Sequence, residues 1–204
     1  MSAQRDEAPG CPPGVYVHPL GLCESDRVGA GTRIWAFAHV MEGSVVGRDC
    51  NVCDHAFVET GAVVGDRVTL KNGVAVWDRV TIADDVFVGP FAVFTNDLNP
   101  RAAFKKDATQ FLPTTVGPGA TIGANATIVC GHVVGENAFV GAGATVVDDV
   151  APYALVVGTP AVRVGWACAC GQRLPEDLLV CACGRAYEAQ AGERGGLRLI
   201  DGGR

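Results

Sequence analysis

Along this chain the aliphatic residues fall on every sixth position. The series runs Val28, Ile34, Val40, Val46, Val52, Val58, Val64, Leu70, Val76, Ile82 and Val88. It resumes at Val116, Ile122, Ile128, Val134, Val140 and Val146. Four positions after each of these anchors stands Thr, Ala, Ser, Cys or Val, and His132 is the one exception. A short strand needs one large inward side chain, and a tight corner needs a small one so that the chain can turn. Glycine often follows the anchor, as at Gly29, Gly47 and Gly65, each three hexads after the last. Three hexads per coil, one for each face of a triangular prism, account for that interval. The pattern predicts an all-β parallel β-helix from Val28 to Val150, nearly six coils and about 28 Å tall at ~4.8 Å per layer. Each coil is then stabilised chiefly by its neighbours.

Two departures interrupt this regularity. With Phe94 as a further anchor, Thr95 to Thr115 must leave the prism as a long loop, rich in Asn and Asp at its start and carrying Arg101, Lys105 and Lys106. Such loops are usually functional or disordered, and amides with basic groups suit an anionic, hydroxylated ligand; an edge-protecting flap is the plainer alternative. The second departure is His132, a large imidazole in a slot otherwise kept small. It must displace the chain or point its ring outward, where it can meet substrate or simply close a corner. Asn96, at the loop start, can orient an amine or an oxyanion, or serve as a turn former. Asp97 can hold a hydroxyl or cap the same turn. His39 and His55 fall at outward-facing offsets, and His18 precedes the first coil.

Beyond Val150, Pro152 is expected to end the repeat. Then Cys168-Ala-Cys170-Gly171 is duplicated as Cys181-Ala-Cys183-Gly184. Two such pairs suit a small structural zinc ribbon with four cysteine ligands, although C-x-C is tighter than the usual C-x₂₋₄-C; two pairs of unmetallated thiols are the alternative. Cys50 and Cys53 belong to the repeat itself and read as core packing.

Composition narrows the picture further. Apolar residues make up 49% of the chain but aromatics only 7%, which suits thin stacked layers of Val, Ala, Leu and Ile. A net charge of −6 without a basic run argues against nucleic acid as a partner. The start of the chain is polar and Pro/Gly-rich, without the apolar segment of a signal peptide, and no run approaches membrane-spanning length. The expectation is a cytoplasmic protein that needs no membrane, with a disordered lead-in over 1–15. In that compartment the nine cysteines read as thiols or metal ligands rather than disulfides.

The segments GAGTRIWAFAHV, CDHAFVE, LKNGVAVWD, DDVFVGP, FTNDLNPRA, GANATIVCGHVVG, GAGATVV and VVGTPAVRVGW carry a resemblance. Together they resemble hexapeptide-repeat N-acetyltransferases of nucleotide-linked 3-amino sugars, which work in the synthesis of surface polysaccharides and glycoconjugates. Two likenesses stand out: enzymes acetylating UDP-2-acetamido-3-amino-2,3-dideoxyglucuronate, and those acetylating dTDP-3-amino-3,6-dideoxyhexoses. The resemblance covers about residues 16–166 and extends more loosely over the Cys-rich tail, 167–204. It implies a left-handed helix, whereas parallel crossovers in general are right-handed in about 98% of cases. It also implies a homotrimer with sites between subunits, acetyl-CoA as co-substrate, and a nucleotide sugar as acceptor. By matched motif, Asn96 and His132 lie at the reacting centre. Backbone at Gly141 and Ala142 contacts pantetheine, Arg163 meets CoA phosphates, and Asn72, Asp78, Asp97 and Arg101 contact the sugar nucleotide. KNGVAVWD and CDHAFVE lean toward the deoxyhexose enzymes and NPRA toward the glucuronate enzymes, so the nucleotide stays open. Competing readings are a non-enzymatic scaffold, which leaves FTND-x-x-PR and His132 unexplained, and a γ-class carbonic anhydrase, for which the chain has no H-x₄-H pair.

Overall fold

The computed structural model describes residues 11–175, 178–191 and 195–202. Each hexad folds as a short strand ending on its anchor, followed by a corner. Arg33–Ile34, His39–Val40 and Val45–Val46 make one coil, and each pairs in parallel with the strand three hexads on. Ile34 thus stacks on Val52, Val40 on Val58 and Val46 on Val64. The first face holds nine strands, all parallel except the last, which makes a β-solenoid of about eight turns, roughly 34 Å tall at ~4.8 Å per layer.

The solenoid is longer at both ends than the period announces. Tyr16–Val17 and Leu22–Cys23 pair with Arg33–Ile34 and His39–Val40, so two strands precede Val28. The step from Cys23 to Val28 is one residue short of a hexad, which hides these strands from the repeat. At the other end Pro152 does not stop the coil. Ala154–Val157 adds one more parallel strand on Phe139–Val140, and only then does Val162–Trp166 fold back antiparallel over the exposed edge. The lead-in also needs correction. Cys11 forms a disulfide with Cys23 (Cα–Cα 5.7 Å), and Cys11 and Val15 pack against the core. Residues 11–15 are therefore ordered, this pair is not free thiol, and the rest of the expected lead-in, 1–10, lies outside the described residues.

The anchors form one continuous column of Val, Ile and Leu, closed to solvent along its length. Burying each contributes about 1.5–3 kcal/mol. The small slots are buried beside them; Thr32 donates to the Gly47 carbonyl (2.7 Å) and Ser44 to that of Met41 (2.6 Å), whereas the buried Thr114 hydroxyl, stacked on Val80, has no hydrogen-bond partner among the described residues. Coils approach so closely that a Cβ on Gly29 would lie 2.4 Å from the Arg48 nitrogen. At most corners the third residue after the inward strand residue takes the left-handed conformation, at glycines such as Gly61 and Gly131 but also at Phe37, Arg67, Phe91 and Tyr153.

The long loop leaves this frame without disturbing it. Far more chain separates Phe94 from Val116 than the single hexad the repeat requires. Even so, Val93–Phe94 stacks on Thr127–Ile128, and Thr114–Val116 lies between Val80–Ile82 and Val133–Val134. Among the described residues no helix is long and apolar enough to cross a membrane.

Candidate active site

The loop emerges from the corner between the second and third faces, and that corner collects most of the polar residues singled out in the sequence. Asp78 and Asn96 are three hexads apart and so stand one layer from each other. Three hydrogen bonds fix the loop's departure. The Trp77 indole N–H donates to the Phe94 carbonyl (3.0 Å), the Cys130 N–H to the Thr95 hydroxyl (3.0 Å), and the Leu112 N–H to the Asn96 carbonyl (2.9 Å). Asn96 is thereby pinned at the base of the loop, beside the turn that carries His132.

His132 does break the small-slot rule outward. Its side chain keeps 26% of its exposure where its equivalents are buried. Its Nδ1 lies 3.7 Å from Oδ1 of Asp149, and that oxygen accepts the Val133 N–H at 2.7 Å. Asp149 gives no signal in the sequence because it belongs to another hexad, nearly a full coil further on. Only the stacking of coils brings it to the imidazole. His132, Asp148, Asp149 and Arg163 line one cavity of about 790 Å³ at the C-terminal end of the prism, with Ala161 and Gly195 on its wall. The Arg163 guanidinium also sits over the Trp166 ring, 4.3 Å from its centroid. Imidazole and guanidinium thus face one space, as a reacting acyl group and an anionic carrier would require.

The remaining residues are dispersed. Asp97 closes the loop turn, its carboxylate taking Lys106 Nζ at 2.5 Å and the Asn99 N–H at 2.9 Å. The Lys106 ammonium holds that carboxyl below its usual range. Arg101 is exposed farther out on the loop. Asn72, Gly141 and Ala142 lie on a different edge of the prism, the corner between the first and second faces. There the Asn72 carbonyl accepts the Phe91 N–H at 2.9 Å, and the Gly141 N–H donates to the Val156 carbonyl at 2.8 Å. One chain does not bring the two groups together. Elsewhere, Cys50 and Cys53 are buried free thiols, and burial pushes both up, as core packing predicts. His39 pairs with Glu24 at 2.8 Å and His55 stacks on Phe37, so neither enters the site.

The tail forms two matching turns. Gly171 N–H donates to Cys168 and Gly184 N–H to Cys181, at 2.8 and 2.9 Å. All four sulfurs of Cys168, Cys170, Cys181 and Cys183 lie within 4.8 Å of one another, with Cys168–Cys183 and Cys170–Cys181 each at 3.6 Å. Tetrahedral zinc with sulfurs at ~2.3 Å separates them by about 3.8 Å, whereas a disulfide would need ~2.05 Å. The geometry fits a four-cysteine metal site despite the short C-x-C spacing. The backbone N–H and guanidinium of Arg185 bring Cys183 down to about 6, whereas desolvation and the neighbouring sulfurs push Cys170 and Cys181 up.

Residues 113–147 match the family described as the hexapeptide repeat of succinyl-transferase. A dTDP-3-amino-3,6-dideoxy-alpha-D-galactopyranose 3-N-acetyltransferase of Aneurinibacillus thermoaerophilus is 44% identical over 175 residues, covering 85% of this chain and 90% of that one. Among solved structures, the acetyltransferase domain of PglB from Neisseria gonorrhoeae FA1090, in complex with acetyl coenzyme A, superposes with a TM-score of 0.54 at 21% identity. That match covers 74% of this chain and 58% of the PglB chain, so this protein spans less than two thirds of it. A putative acetyltransferase of Bacillus cereus gives 0.51 at 18% identity, covering 80% of each chain. At those identities the two structures speak for the fold alone. The sequence relative shows more: the chain belongs to the family of hexapeptide-repeat sugar N-acetyltransferases.

Proposed function

We propose that the protein transfers the acetyl group of acetyl-CoA to the 3-amino group of a dTDP-linked 3-amino-3,6-dideoxyhexose, supplying an acetamido sugar for surface glycans. The observation that carries this reading is the 44% identity, over nearly the whole chain, to an enzyme named for that reaction. It tips the choice of nucleotide that the sequence motifs leave open toward dTDP. A cytoplasmic location follows from where acetyl-CoA is made.

The reaction needs a neutral amine, a donor for the developing oxyanion and a sink for one proton. A sugar amine flanked by electron-withdrawing carbons titrates near the α-amino value of about 8, so part of it is already neutral at pH 7. The amine nitrogen attacks the thioester carbon, the C–S bond breaks, and the proton released from nitrogen goes to the departing thiolate. His132 relays that proton as general base and then acid, with Asp149 steadying the imidazolium across 3.7 Å. The Asn96 amide orients the amine or donates to the oxyanion. Arg163, on the wall of the same cavity, meets the CoA phosphates.

The division of the remaining residues between two prism edges supports a homotrimer. A groove between one subunit's Asp78–Asn96–His132 edge and a neighbour's Asn72–Gly141–Ala142 edge reunites them, with the pantetheine arm lying along it. The sugar nucleotide then lies against Asp78, Asn72 and Arg101. The four-cysteine cluster takes a structural zinc ion, a reading supported by its sulfur spacing.

Free-thiol release from acetyl-CoA, followed with dTDP-linked and UDP-linked 3-amino sugars, tests the assignment; no release with any of them would return the protein to a scaffold role. In the same assay His132→Ala lowers kcat by about one to three decades, Asn96→Ala by at least as much, and Asp149→Asn by about tenfold. Near-wild-type kcat for both His132→Ala and Asn96→Ala would remove this corner from the chemistry.

A further inference from the structure

The strand that carries Arg163 is held between the solenoid and the Cys-rich tail. Val162–Trp166 runs antiparallel to Ala154–Val157, and the register slips there, Gly165 facing Leu155 but Arg163 facing Val156. Val164 is thus left as a bulge, a feature that bends its strand and re-aims the side chains beside it. The tail closes on that bulge. The Arg173 guanidinium donates to the Val164 carbonyl at 2.9 Å, and a Cβ on Gly165 would lie 3.3 Å from Arg173 Nε. The Leu174 N–H donates to the Trp166 carbonyl at 2.9 Å. Arg173 and Leu174 directly follow the first cysteine turn, where the Cys168 N–H donates to the Gln172 carbonyl at 2.8 Å. Trp166 packs against both the solenoid core and the tail's own cluster, and its ring lies under the Arg163 guanidinium, 4.3 Å away. Farther along the tail, Gly195 stands on the wall of the cavity that holds Arg163 and His132.

We propose that the four-cysteine site sets the affinity for acetyl-CoA, by fixing the bulged strand that holds Arg163 on the wall of the donor cavity. The inference rests on the reading of the protein as an acetyl-CoA-dependent enzyme with a metal in its tail. It gives that tail a part in the reaction. Trp166 and Arg173 are positioning residues: neither lines the cavity, and both act through Arg163. With the cysteines gathered around a metal, the first turn presses Arg173 and Leu174 against the strand. With the cysteines apart, the turn loosens, the Val164 carbonyl loses its donor and the Arg163 guanidinium swings off the Trp166 ring. The donor's phosphates then lose their cation, while the proton relay at His132 is untouched.

The test is calorimetric titration of the full-length protein with CoA, before and after a chelator withdraws zinc, with size-exclusion chromatography to follow the oligomer. Withdrawal is expected to weaken CoA about tenfold or more, and added zinc to restore it. In Arg163→Ala, CoA binds that weakly from the start and chelation changes nothing further. Arg173→Ala, which leaves the cysteines in place, weakens CoA about three- to tenfold at full zinc content. Trp166→Leu does the same, while Trp166→Phe, keeping a ring under the guanidinium, stays within about twofold of the wild type. In the thiol-release assay KM for acetyl-CoA rises while kcat holds. With acetylpantetheine, a donor without phosphates, none of these changes appears. Unchanged CoA affinity on chelation overturns the coupling and leaves the reaction standing. So does an equal loss on chelation in Arg163→Ala, or a loss seen only where the oligomer dissociates. Protein that neither carries zinc nor takes it up sinks the metal reading, and this inference with it. Failure of the zinc-loaded protein to bind CoA sinks the acetyltransferase reading itself.

Discussion

The solenoid and the Cys-rich tail solve the same problem, closing a core, by opposite means. In the solenoid every coil repeats the last, and one unbroken column of Val, Ile and Leu runs from end to end. No single residue is indispensable, because each layer is sandwiched between two like itself. The tail has too few residues for that. Its own cluster is Tyr153, Cys168, Leu174, Cys181, Tyr187 and Leu197, of which Tyr153 is borrowed from the solenoid and two are metal-ligand candidates. A core this small needs a staple. The tail is seated on the prism by the Tyr153–Tyr187 ring contact at 5.0 Å and by the Leu197 N–H bonded to Pro152 at 3.2 Å. The Tyr187 hydroxyl in turn lies 3.0 Å from Cys168 Sγ. Repetition makes stability local and redundant; the metal proposed for the tail would concentrate it at one point.

The sharpest way to separate the two regions is to withdraw the metal proposed for the tail. Structural zinc contributes on the order of 10–16 kcal/mol in small zinc domains. Chelation, or Cys170→Ser, should therefore leave the amides of 167–175 and 178–191 freely exchanging with deuterium while those of 34–146 keep their protection. Less than one zinc per chain in protein purified under reducing conditions, with the tail still protected, would show that the small core stands unaided. A smaller effect runs the other way. Leu70→Ala removes a fully buried anchor and should cost about 2–5 kcal/mol in urea denaturation without altering zinc content. Loss of zinc in that variant would mean that the two regions unfold as one.

The smallest effect belongs to the solenoid's surface. Arg48 pairs with Asp66 at 2.8 Å, and Arg67 with Asp85 at 2.6 Å, as rungs on one corner. The arginines hold both carboxyls below their usual range. A depressed carboxyl stabilises the fold above its unfolded pKa, near 3.9, and the benefit is lost as pH falls through the folded value. Arg67→Ala should thus lower Tm slightly at neutral pH and low salt. The difference from wild type should vanish once pH has fallen through the carboxyls' depressed folded values or at about 1 M salt. A difference that survives both would belong to packing of the arginine stem.

Legibility in the sequence follows the same divide. The anchors and small slots are plain, because a period of six repeated through the chain leaves little else to infer. The ends are not: the shortened step from Cys23 to Val28 hides the first strands, and Pro152 reads as a stop although Val156 still stacks on Val140. The left-handed corner residues are hard to see because Phe37, Arg67 and Tyr153 stand where Gly, Asn or Asp would have announced the turn. In the site, Asn96 and His132 stand out as departures from rule. Asp149 does not, since its meeting with His132 is set by layer stacking and not by adjacency in the chain. The four tail cysteines are betrayed by their duplication. The Cys11–Cys23 disulfide, joining the lead-in to the first coil, leaves no comparable trace.

The loop's manner of insertion has a wider consequence. Strands on both sides of it keep their partners, so the frame registers only that the chain left at Phe94 and returned at Thr114. What happens between those points is invisible to the layers above and below. A scaffold of this kind separates two problems that most enzymes must solve together, holding shape and choosing a substrate. Changing the acceptor then becomes a matter of rewriting one excursion, with the rest of the molecule indifferent to what it says.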